Sequence, residues 1–129
     1  MKNKSNNYHS FDAEIIVLGS LIIDNSCMTE VNYLLVPSDF FYSNNRAIYS
    51  HIEMLFEKGL GFDVLQLSES MEQANTLDHA GGLIYLHELQ QNTPTPQNIR
   101  AHANIVKQQS ILRYEYNLQT EREEEWKRK

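Results

Sequence analysis

Histidine is the side chain of this sequence best suited to metal binding, and one of its five histidines stands in a recognisable context. The segment 87–91 reads His-Glu-Leu-Gln-Gln and begins like the helix motif of zinc proteases, which places a second histidine where Gln91 stands. The other histidines, His9, His51, His79 and His102, show no close metal-ligand spacing. Because Cys27 is the only cysteine, a cysteine-rich site and an internal disulfide are excluded. We therefore expect no metal site.

The glycines and serines that nucleotide binding or covalent catalysis would use have the wrong neighbours. A phosphate-binding loop needs a glycine-rich turn ahead of Lys and Ser or Thr, so that backbone amides can approach the phosphates. The clustered glycines are Gly59/Gly61 and Gly81/Gly82, and neither pair is followed by Gly-Lys-Ser/Thr. No Gly-x-Ser-x-Gly signature of a nucleophilic serine is present. The sequence predicts no catalytic residue and no cofactor, which leaves a small enzyme with an unrecognised site as the weakest alternative.

The composition indicates a single folded domain. Of the 129 residues, 41% are hydrophobic and 22% are charged, an ordinary balance for a globular chain. The net charge of −6 disfavours strong direct nucleic-acid binding, because a domain that grips phosphate backbones by itself is usually basic. The longest apolar run, 15–23, is about half the roughly 20 residues that cross a bilayer, and the basic opening 1–7 leads into no signal-peptide core. We expect a soluble cytoplasmic protein without membrane contact.

Apolar residues recur at helical spacing along most of the chain, which predicts an all-α fold, a compact bundle of about six helices. The first predicted helix covers about residues 12–23 and ends at Asp24-Asn25-Ser26. A short second helix carries Met28, Val31, Leu34 and Leu35 and ends before Pro37. Residues 37–42 then form a predicted aromatic loop that is anchored to the core.

Capping residues predict the bounds of the later helices. Ser43 is the predicted N-cap of the third helix, which stops at Lys58-Gly59. Asp63 and Gln66 have the spacing of a capping box and open the fourth helix, and Gly81-Gly82 precedes a short fifth helix. Thr95 as N-cap and Pro96 at the first helical position launch the sixth.

The last predicted helix is longer than the globular part can cover. From Pro96 to the end it would have about 34 residues and a length of roughly 50 Å. Within 119–129 the only apolar residue is Trp126, and acids at 121–125 precede bases at 127–129, which suits the helix dipole. A solvated helix end and a partner-docking arm both stay open. We expect a flexible N-terminal tail (1–9), a helical domain (10–114) and a charged C-terminal helix extension (115–129).

Five groups of residues, in this order and at these distances, resemble the N-terminal domain of the DnaB family of replicative DNA helicases. The resemblance runs from about residue 10 to residue 114. Two departures, Asn45 where the family often has His and Gln66 where it often has Thr, keep polar, cap-competent chemistry. The matching segments are 12–14 with 17–21, 37–41 with 46–49, 62–67, the Gly-Gly-x-x-Tyr-Leu stretch 81–86, and 93–99 with 103–106 and 111–113.

The resemblance implies a scaffold role in DNA replication rather than a catalytic one. In such helicases the N-terminal domains pair into a collar on the hexameric ring, and the collar engages primase within the primosome. This chain carries no motif of the ATP-dependent motor, and the helical hairpin of the family is incomplete in it. The expected partners are therefore a second copy in a homodimer or higher oligomer, or a full-length replicative helicase, with primase as a further candidate.

Four aromatic residues are the candidates for partner binding: Tyr85, Tyr114, Tyr116 and Trp126. Aromatic side chains are enriched at protein interfaces, although their more usual role, which stays open for each of these residues, is ordinary packing in or near the core. A second binding function also stays open, namely a stand-alone adaptor or inhibitor from a mobile element that binds a host helicase.

Overall fold

Polar capping residues separate the helices of this chain from one another. The computed structural model describes residues 7–93, 95–96 and 98–128. Within these residues the chain forms seven α-helices and two 3-10 helices, so the predicted all-α class is confirmed. The 3-10 helices cover Asn25–Cys27 and Pro37–Asp39. The α-helices are α1 (Phe11–Ile23), α2 (Met28–Val31), α3 (Ser43–Glu57), α4 (Val64–Gln73), α5 (Leu77–Ala80), α6 (Gly82–Gln91) and α7 (Ile99–Arg128).

α1 is the central helix of the bundle, since it packs against α3, α6 and α7. Its Val17, Leu18 and Leu21 are fully enclosed. Burying such a side chain is worth about 1.5–3 kcal/mol, so this helix contributes a large part of the core. Fully buried side chains from the surrounding segments complete it, among them Phe40, Tyr49, Ile52, Leu67, Met71 and Leu86.

Several helix ends agree with their capping residues. Asp24 follows α1, as predicted, and accepts a hydrogen bond from the Ser26 amide at 3.0 Å, so that it also caps the next 3-10 helix. The capping box is also confirmed, because Asp63 accepts from the Gln66 amide at 2.8 Å while the Gln66 side chain accepts from the Asp63 amide at 3.0 Å. α3 ends at Glu57 and is followed by Lys58 as C-cap and by Gly59, which has a left-handed φ of 71°.

The start of α3 differs from the prediction. Ser43 is already the first helical residue and Tyr42 occupies the N-cap position, so the prediction of Ser43 as N-cap is wrong. Tyr42 makes no capping hydrogen bond with its side chain. The amides ahead of the helix instead donate to Glu14 of α1, a residue far away in the sequence.

Two short helices also differ from the prediction. α2 ends at Val31, and Leu34 and Leu35 follow in a turn in which both amides donate to the Val31 carbonyl at 2.9 Å. The prediction passed over α5, whose four residues are too few to show a periodic pattern. Gly81 ends this helix in the left-handed conformation with a φ of 107°, which glycine adopts at no steric cost.

α7 starts at Ile99, so the prediction of Thr95 as its N-cap and Pro96 as its first residue is wrong. Asn98 has a left-handed φ of 69°, which interrupts any helix before it. Asparagine tolerates this conformation better than other non-glycine residues. The first helical hydrogen bond runs from the His102 amide to the Asn98 carbonyl at 3.2 Å.

α7 has 30 residues and is about 45 Å long. Its fully buried residues, Ile99, Ala103 and Val106, all lie in the first third, whereas residues 121–128 are exposed. Among the residues that the structure describes, no helix is both long and apolar enough to span a membrane. α7 therefore belongs to the core at its start and extends outside the core at its end.

Gly19 permits α1 to approach the end of α6 closely. A Cβ atom at this position would overlap the Leu89 carbonyl oxygen and the hydroxyl of Thr93. The Thr93 hydroxyl itself donates to that carbonyl at 3.0 Å, so neither obstacle can rotate away freely. The contact between α1 and α6 therefore requires glycine here.

Replacing Gly19 by Ala should lower the free energy of unfolding by about 1–3 kcal/mol, because the added methyl group forces apart packed backbone. Urea denaturation followed by circular dichroism measures this change. Gly61→Ala is the matched control, since a Cβ there would lie at an ordinary 3.5 Å from Asn25. An unchanged stability of Gly19→Ala would contradict the close approach of α1 and α6.

Candidate protein-interaction site

The loop 36–42 between α2 and α3 is held in place by a buried carboxylate. Glu14 of α1 is 1% exposed and accepts hydrogen bonds from the Phe41 amide at 2.7 Å and the Tyr42 amide at 3.4 Å. The Asn45 side chain donates to it at 2.9 Å. Burial raises the pKa of Glu14 above its ordinary value, and the hydrogen bonds counteract part of that rise. A buried carboxyl needs such donors, so the loop is fixed against α1.

Tyr85, one of the four predicted partner-binding residues, lies in this network. Its hydroxyl donates to the side-chain oxygen of Asn45, whose amide nitrogen in turn donates to Glu14. Burial raises the pKa of Tyr85 to about 12, because the ionised phenolate would be poorly solvated there. The structure thus places Tyr85 between α6 and α3, with its polar end directed into the bundle.

Arg113 connects α7 to the same loop. Its guanidinium group donates to the carbonyl of Asp39 at 2.8 Å and to the carbonyl of Tyr8 at 2.6 Å. It also lies over the ring of Phe41, 5.4 Å from the centroid, in a cation–π arrangement. Burial lowers the pKa of Arg113, and the negative charge of Glu14 acts in the opposite direction. α7 is therefore attached to the loop near its midpoint.

The residues just ahead of α1 pack on this assembly. His9 stacks on Phe41 with 4.4 Å between ring centroids, and its Nδ1 lies 3.1 Å from the Tyr42 hydroxyl. Tyr8 meets Tyr116 in a tilted contact at 6.1 Å. Tyr116, the second predicted partner-binding residue, thus faces the N-terminal segment. Of the tail predicted over 1–9, residues 1–6 lie outside the described residues.

Asp39 joins the other side of the loop to α7. Its carboxylate is 4% exposed and accepts from the Val36 amide at 2.8 Å and the Ser110 hydroxyl at 2.8 Å. Lys107 forms an ion pair with it at 3.3 Å. These contacts hold the loop beside α7, so that the apolar side chain of Val36 lies next to the helix.

A groove of about 530 Å³ runs between this loop and α7, and we call it the loop–helix groove. Val36 is 48% exposed, Ile111 46% and Tyr114 69%, so its apolar lining is open to solvent. The groove is lined by the apolar groups of Val36, Ile111, Tyr114 and Leu118, with the charged groups of Asp39, Lys107 and Glu115 beside them. An exposed apolar strip with charged neighbours is a surface suited to binding a protein segment.

The same side of α7 continues beyond the groove. At 3.6 residues per turn, seven residues between positions 111 and 126 fall within an arc of about 120°, and we call this arc the outer face of α7. Trp126 is 77% exposed and lies fifteen positions beyond Ile111, about 22 Å along the helix. The residues of the outer face are Ile111, Tyr114, Glu115, Leu118, Arg122, Glu125 and Trp126.

The structure separates the four predicted aromatic residues into two groups. Tyr114 and Trp126 lie on the outer face, while Tyr85 and Tyr116 contact other parts of the bundle. Sequence reasoning passed over Val36, Ile111 and Leu118. The spacing of Ile111, Tyr114 and Leu118, three and four residues apart, is the signal that identifies a helix stripe, whereas Val36 joins them only through the fold.

His51, a side chain that could take part in catalysis or metal binding, makes a structural contact. Across the described ranges, no cluster of three or more His, Cys, Asp or Glu side chains is placed to hold a metal ion. His51 Nε2 lies 2.6 Å from the Ser70 hydroxyl and joins α3 to α4. Burial lowers the pKa of His51, with nearby Lys58 acting in the same direction. Within the part of the chain that the structure covers, no hydrogen bond links His51 to a carboxylate.

Comparisons with known proteins agree on one family. The family model described as the DnaB-like helicase N terminal domain matches residues 6–108. The chain is 35% identical over 105 residues to the replicative DNA helicase DnaB of Buchnera aphidicola subsp. Baizongia pistaciae, covering 81% of this chain and 23% of that protein. It is 31% identical over 104 residues to the replicative DNA helicase DnaC of Bacillus subtilis, covering 81% of this chain and 23% of that protein.

The fold agrees with a solved structure. The crystal structure of the N-terminal domain of DnaB helicase from Mycobacterium tuberculosis superposes with a TM-score of 0.84 and 27% sequence identity, covering 88% of this chain and 82% of that chain. The chain spans about a quarter of the length of the curated helicases that it matches.

Glu14→Gln tests the network that fixes the loop. The replacement keeps the volume but turns one acceptor oxygen into a donor, which then faces a donor from Phe41 or Asn45. We expect a loss of about 1–3 kcal/mol in the free energy of unfolding at pH 7. The matched control Glu69→Gln, on the exposed side of α4, should stay within about 0.5 kcal/mol. Equal losses in both variants would contradict a special role for Glu14.

The free energy of unfolding of the wild type and of the E14Q variant should also depend differently on pH. Because the pKa of Glu14 is raised above 4.5 in the folded chain, the folded state binds its proton more readily than the unfolded state does. Its contribution to stability therefore rises as the pH falls through the folded pKa towards 4.5. E14Q cannot titrate at this position, so the stability difference between wild type and E14Q should widen on acidification. A difference that narrows over this window would contradict a raised pKa.

Proposed function

The chain belongs to the family of DnaB-like helicase N-terminal domains, and on that premise we propose that it is a non-catalytic protein-interaction domain of a replicative DNA helicase. In this proposal it acts in DNA replication through self-association and through contact with primase or other replisome proteins. The observation that carries the proposal is the outer face of α7, where Tyr114 and Trp126 are 69% and 77% exposed on a helix that extends out of the core.

The chemistry of this face supports an interface. Tyrosine, tryptophan and arginine are the residues that contribute most often to binding energy, and the outer face contains all three types in Tyr114, Arg122 and Trp126. Two of these are large side chains whose exposure is unfavourable unless a partner covers them. The face also stands on a helix that Arg113 and Asp39 fix to the bundle, so little conformational entropy is lost on binding.

The relatives support a place in replication. The matched proteins are named replicative DNA helicases, and this chain corresponds to about a quarter of their length. In this proposal the chain acts by binding, either to another copy or to other proteins of the helicase assembly. A stand-alone adaptor that binds a host helicase would use the same face and differ in its partner.

Sedimentation velocity of the purified chain, alone and mixed with a replicative helicase or primase from its own source, tests the proposal. We expect a reversible dimer, or a stable complex with one of these proteins. Tyr114→Glu should weaken the association at least about tenfold, equivalent to about 1.4 kcal/mol. The control Tyr33→Glu, at a site that is 68% exposed, should leave it unchanged.

The outcomes separate the two versions of the function. Dimerisation favours the helicase domain that associates with itself, whereas a complex with the helicase from a strictly monomeric chain favours the adaptor. A chain that stays monomeric at high concentration and binds neither protein would contradict the proposal.

A further inference from the structure

The ring of Tyr85 lies in a space that only a glycine leaves open. Gly81, at the corner between α5 and α6, has a left-handed φ of 107°. A Cβ atom on Gly81 would lie 2.8 Å from the Cβ of Tyr85 and 3.0 Å from its Cγ. Any other residue at position 81 would therefore displace the ring. The Gly-Gly-x-x-Tyr stretch thus determines both the corner of the chain and the direction in which Tyr85 points, towards α3.

The hydroxyl of Tyr85 begins a chain of hydrogen bonds that ends on a carboxylate. It donates to Oδ1 of the fully buried Asn45, and Nδ2 of Asn45 donates to Glu14 at 2.9 Å. If the side-chain amide of Asn45 turned over, its oxygen would face the carboxylate of Glu14, which is repulsive. Without the Tyr85 hydroxyl, the buried oxygen of Asn45 loses its donor, and the amide has to rotate away from Glu14 to recover one. We call Tyr85, Asn45 and Glu14 the polar relay.

We propose that Tyr85 is a positioning residue for the surface of α7, because its hydroxyl fixes the loop 36–42, and with it the loop–helix groove, through the polar relay. Tyr85 then affects partner binding without touching the partner. The inference deepens the proposed function and rests on it in one respect, namely that this surface is the one that binds.

The loop transmits the position of the relay to α7. The guanidinium group of Arg113 lies over the ring of Phe41 at 5.4 Å and donates to the carbonyl of Asp39 at 2.8 Å. The Asp39 carboxylate accepts from the Ser110 hydroxyl at 2.8 Å. A displaced loop therefore changes two contacts of α7, one on either side of Ile111 in the groove.

Arg46 is a second attachment of the loop, on its solvent side. Its guanidinium group donates to the carbonyl of Phe40 at 3.2 Å and to that of Phe41 at 3.1 Å. Arg46 is exposed, so water competes for these hydrogen bonds, whereas Glu14 is 1% exposed. The position of the loop is therefore determined mainly from the buried side, where Tyr85 acts.

The pKa of Glu14 reports the state of the relay. Burial raises this pKa, and the hydrogen bond from Asn45 opposes the rise. The ionisable groups that face the carboxyl are Tyr42 of the loop, Tyr85 of α6 and Arg113 of α7, and His9 lies beyond the hydroxyl of Tyr42. When Asn45 no longer donates, the charged form of Glu14 loses a partner, and its pKa should rise further.

Tyr85→Phe removes the hydroxyl and keeps the ring. The ¹³C resonance of the Glu14 carboxyl group, followed by NMR through its titration, should show a midpoint at higher pH than in the wild type. The amides of Phe41 and Tyr42 should exchange about fivefold faster, because the loop loses its fixed acceptor. The amides of residues 110–113 should also exchange faster, since α7 is attached through the loop.

Two matched controls separate this effect from a general loss of stability. Ser70→Ala removes a side-chain hydrogen bond between α3 and α4, where the hydroxyl lies 2.6 Å from His51, and should leave the carboxyl titration unchanged. Gly81→Ala keeps the hydroxyl but displaces the ring of Tyr85, so it should move the midpoint in the same direction as Tyr85→Phe. Gly82→Ala introduces a similar left-handed alanine, but its Cβ would meet nothing within 4 Å, so the midpoint should not move.

The double variant Y85F/E14Q tests whether Tyr85 acts through the carboxylate. With Gln at position 14 the relay has lost its end point, so Y85F should not accelerate the exchange of the Phe41 and Tyr42 amides beyond the effect of E14Q alone. Effects of the two substitutions that simply add would show that they act independently and would overturn the relay. Circular dichroism establishes that each variant is folded.

The results distinguish the inference from the proposed function. In the complex described above, Tyr85→Phe should raise the dissociation constant at least about twofold, and Ser70→Ala should not. An unmoved Glu14 titration in both Tyr85→Phe and Gly81→Ala overturns the inference, whether or not the chain binds a partner. A titration that moves while the exchange of residues 110–113 keeps its wild-type rate also overturns it, because the relay would then end at the loop. Absence of any complex contradicts the proposed function alone, and a moved titration with faster exchange over 110–113 still supports the positioning of α7 by Tyr85.

Discussion

The buried carboxyl group of Glu14 is the constraint on which the rest of the arrangement depends. A carboxyl inside a bundle must be surrounded by donors, and two of those donors are amides of the loop 36–42. Once the loop is fixed, the ring of Phe41 provides a platform for Arg113 and the carbonyl of Asp39 accepts from it. The position of α7, and with it the loop–helix groove, therefore depends on the Glu14 carboxyl group of α1.

α7 serves two purposes along its length, and its sequence changes accordingly. Its first third closes the core with Ile99, Ala103 and Val106, whereas its last third is polar and exposed. The division explains why this domain, whose fold matches the N-terminal domain of DnaB helicase, can be stable as a bundle and still expose apolar and aromatic side chains on α7. The rigid attachment through Arg113 keeps the exposed part in a defined direction.

Local signals predicted the fold better than they predicted the site. Asp63 and Gln66 specify a helix start by themselves, so the capping box was correct. The prediction of Ser43 as an N-cap was wrong because the group that accepts from the amides ahead of α3 is Glu14, about 30 positions earlier in the chain. The helix break at Asn98 was not predicted, because a single asparagine in the left-handed conformation does not change the hydrophobic periodicity of the sequence. Tyr114 and Trp126 were named as partner-binding candidates because they are aromatic, but the groove needs Val36 beside Ile111, which only the tertiary structure provides.

Hydrogen–deuterium exchange of the purified chain at low and high concentration tests the central claim most directly, namely that the outer face of α7 is the surface of association. Backbone amides of residues 115–128 exchange fast in an isolated exposed helix and slowly when a partner covers it. We expect protection that grows with concentration over 115–128 and at Val36, with α4 unchanged. Protection confined to α6, where Ile84 is 75% exposed, or no dependence on concentration at all, would contradict this claim.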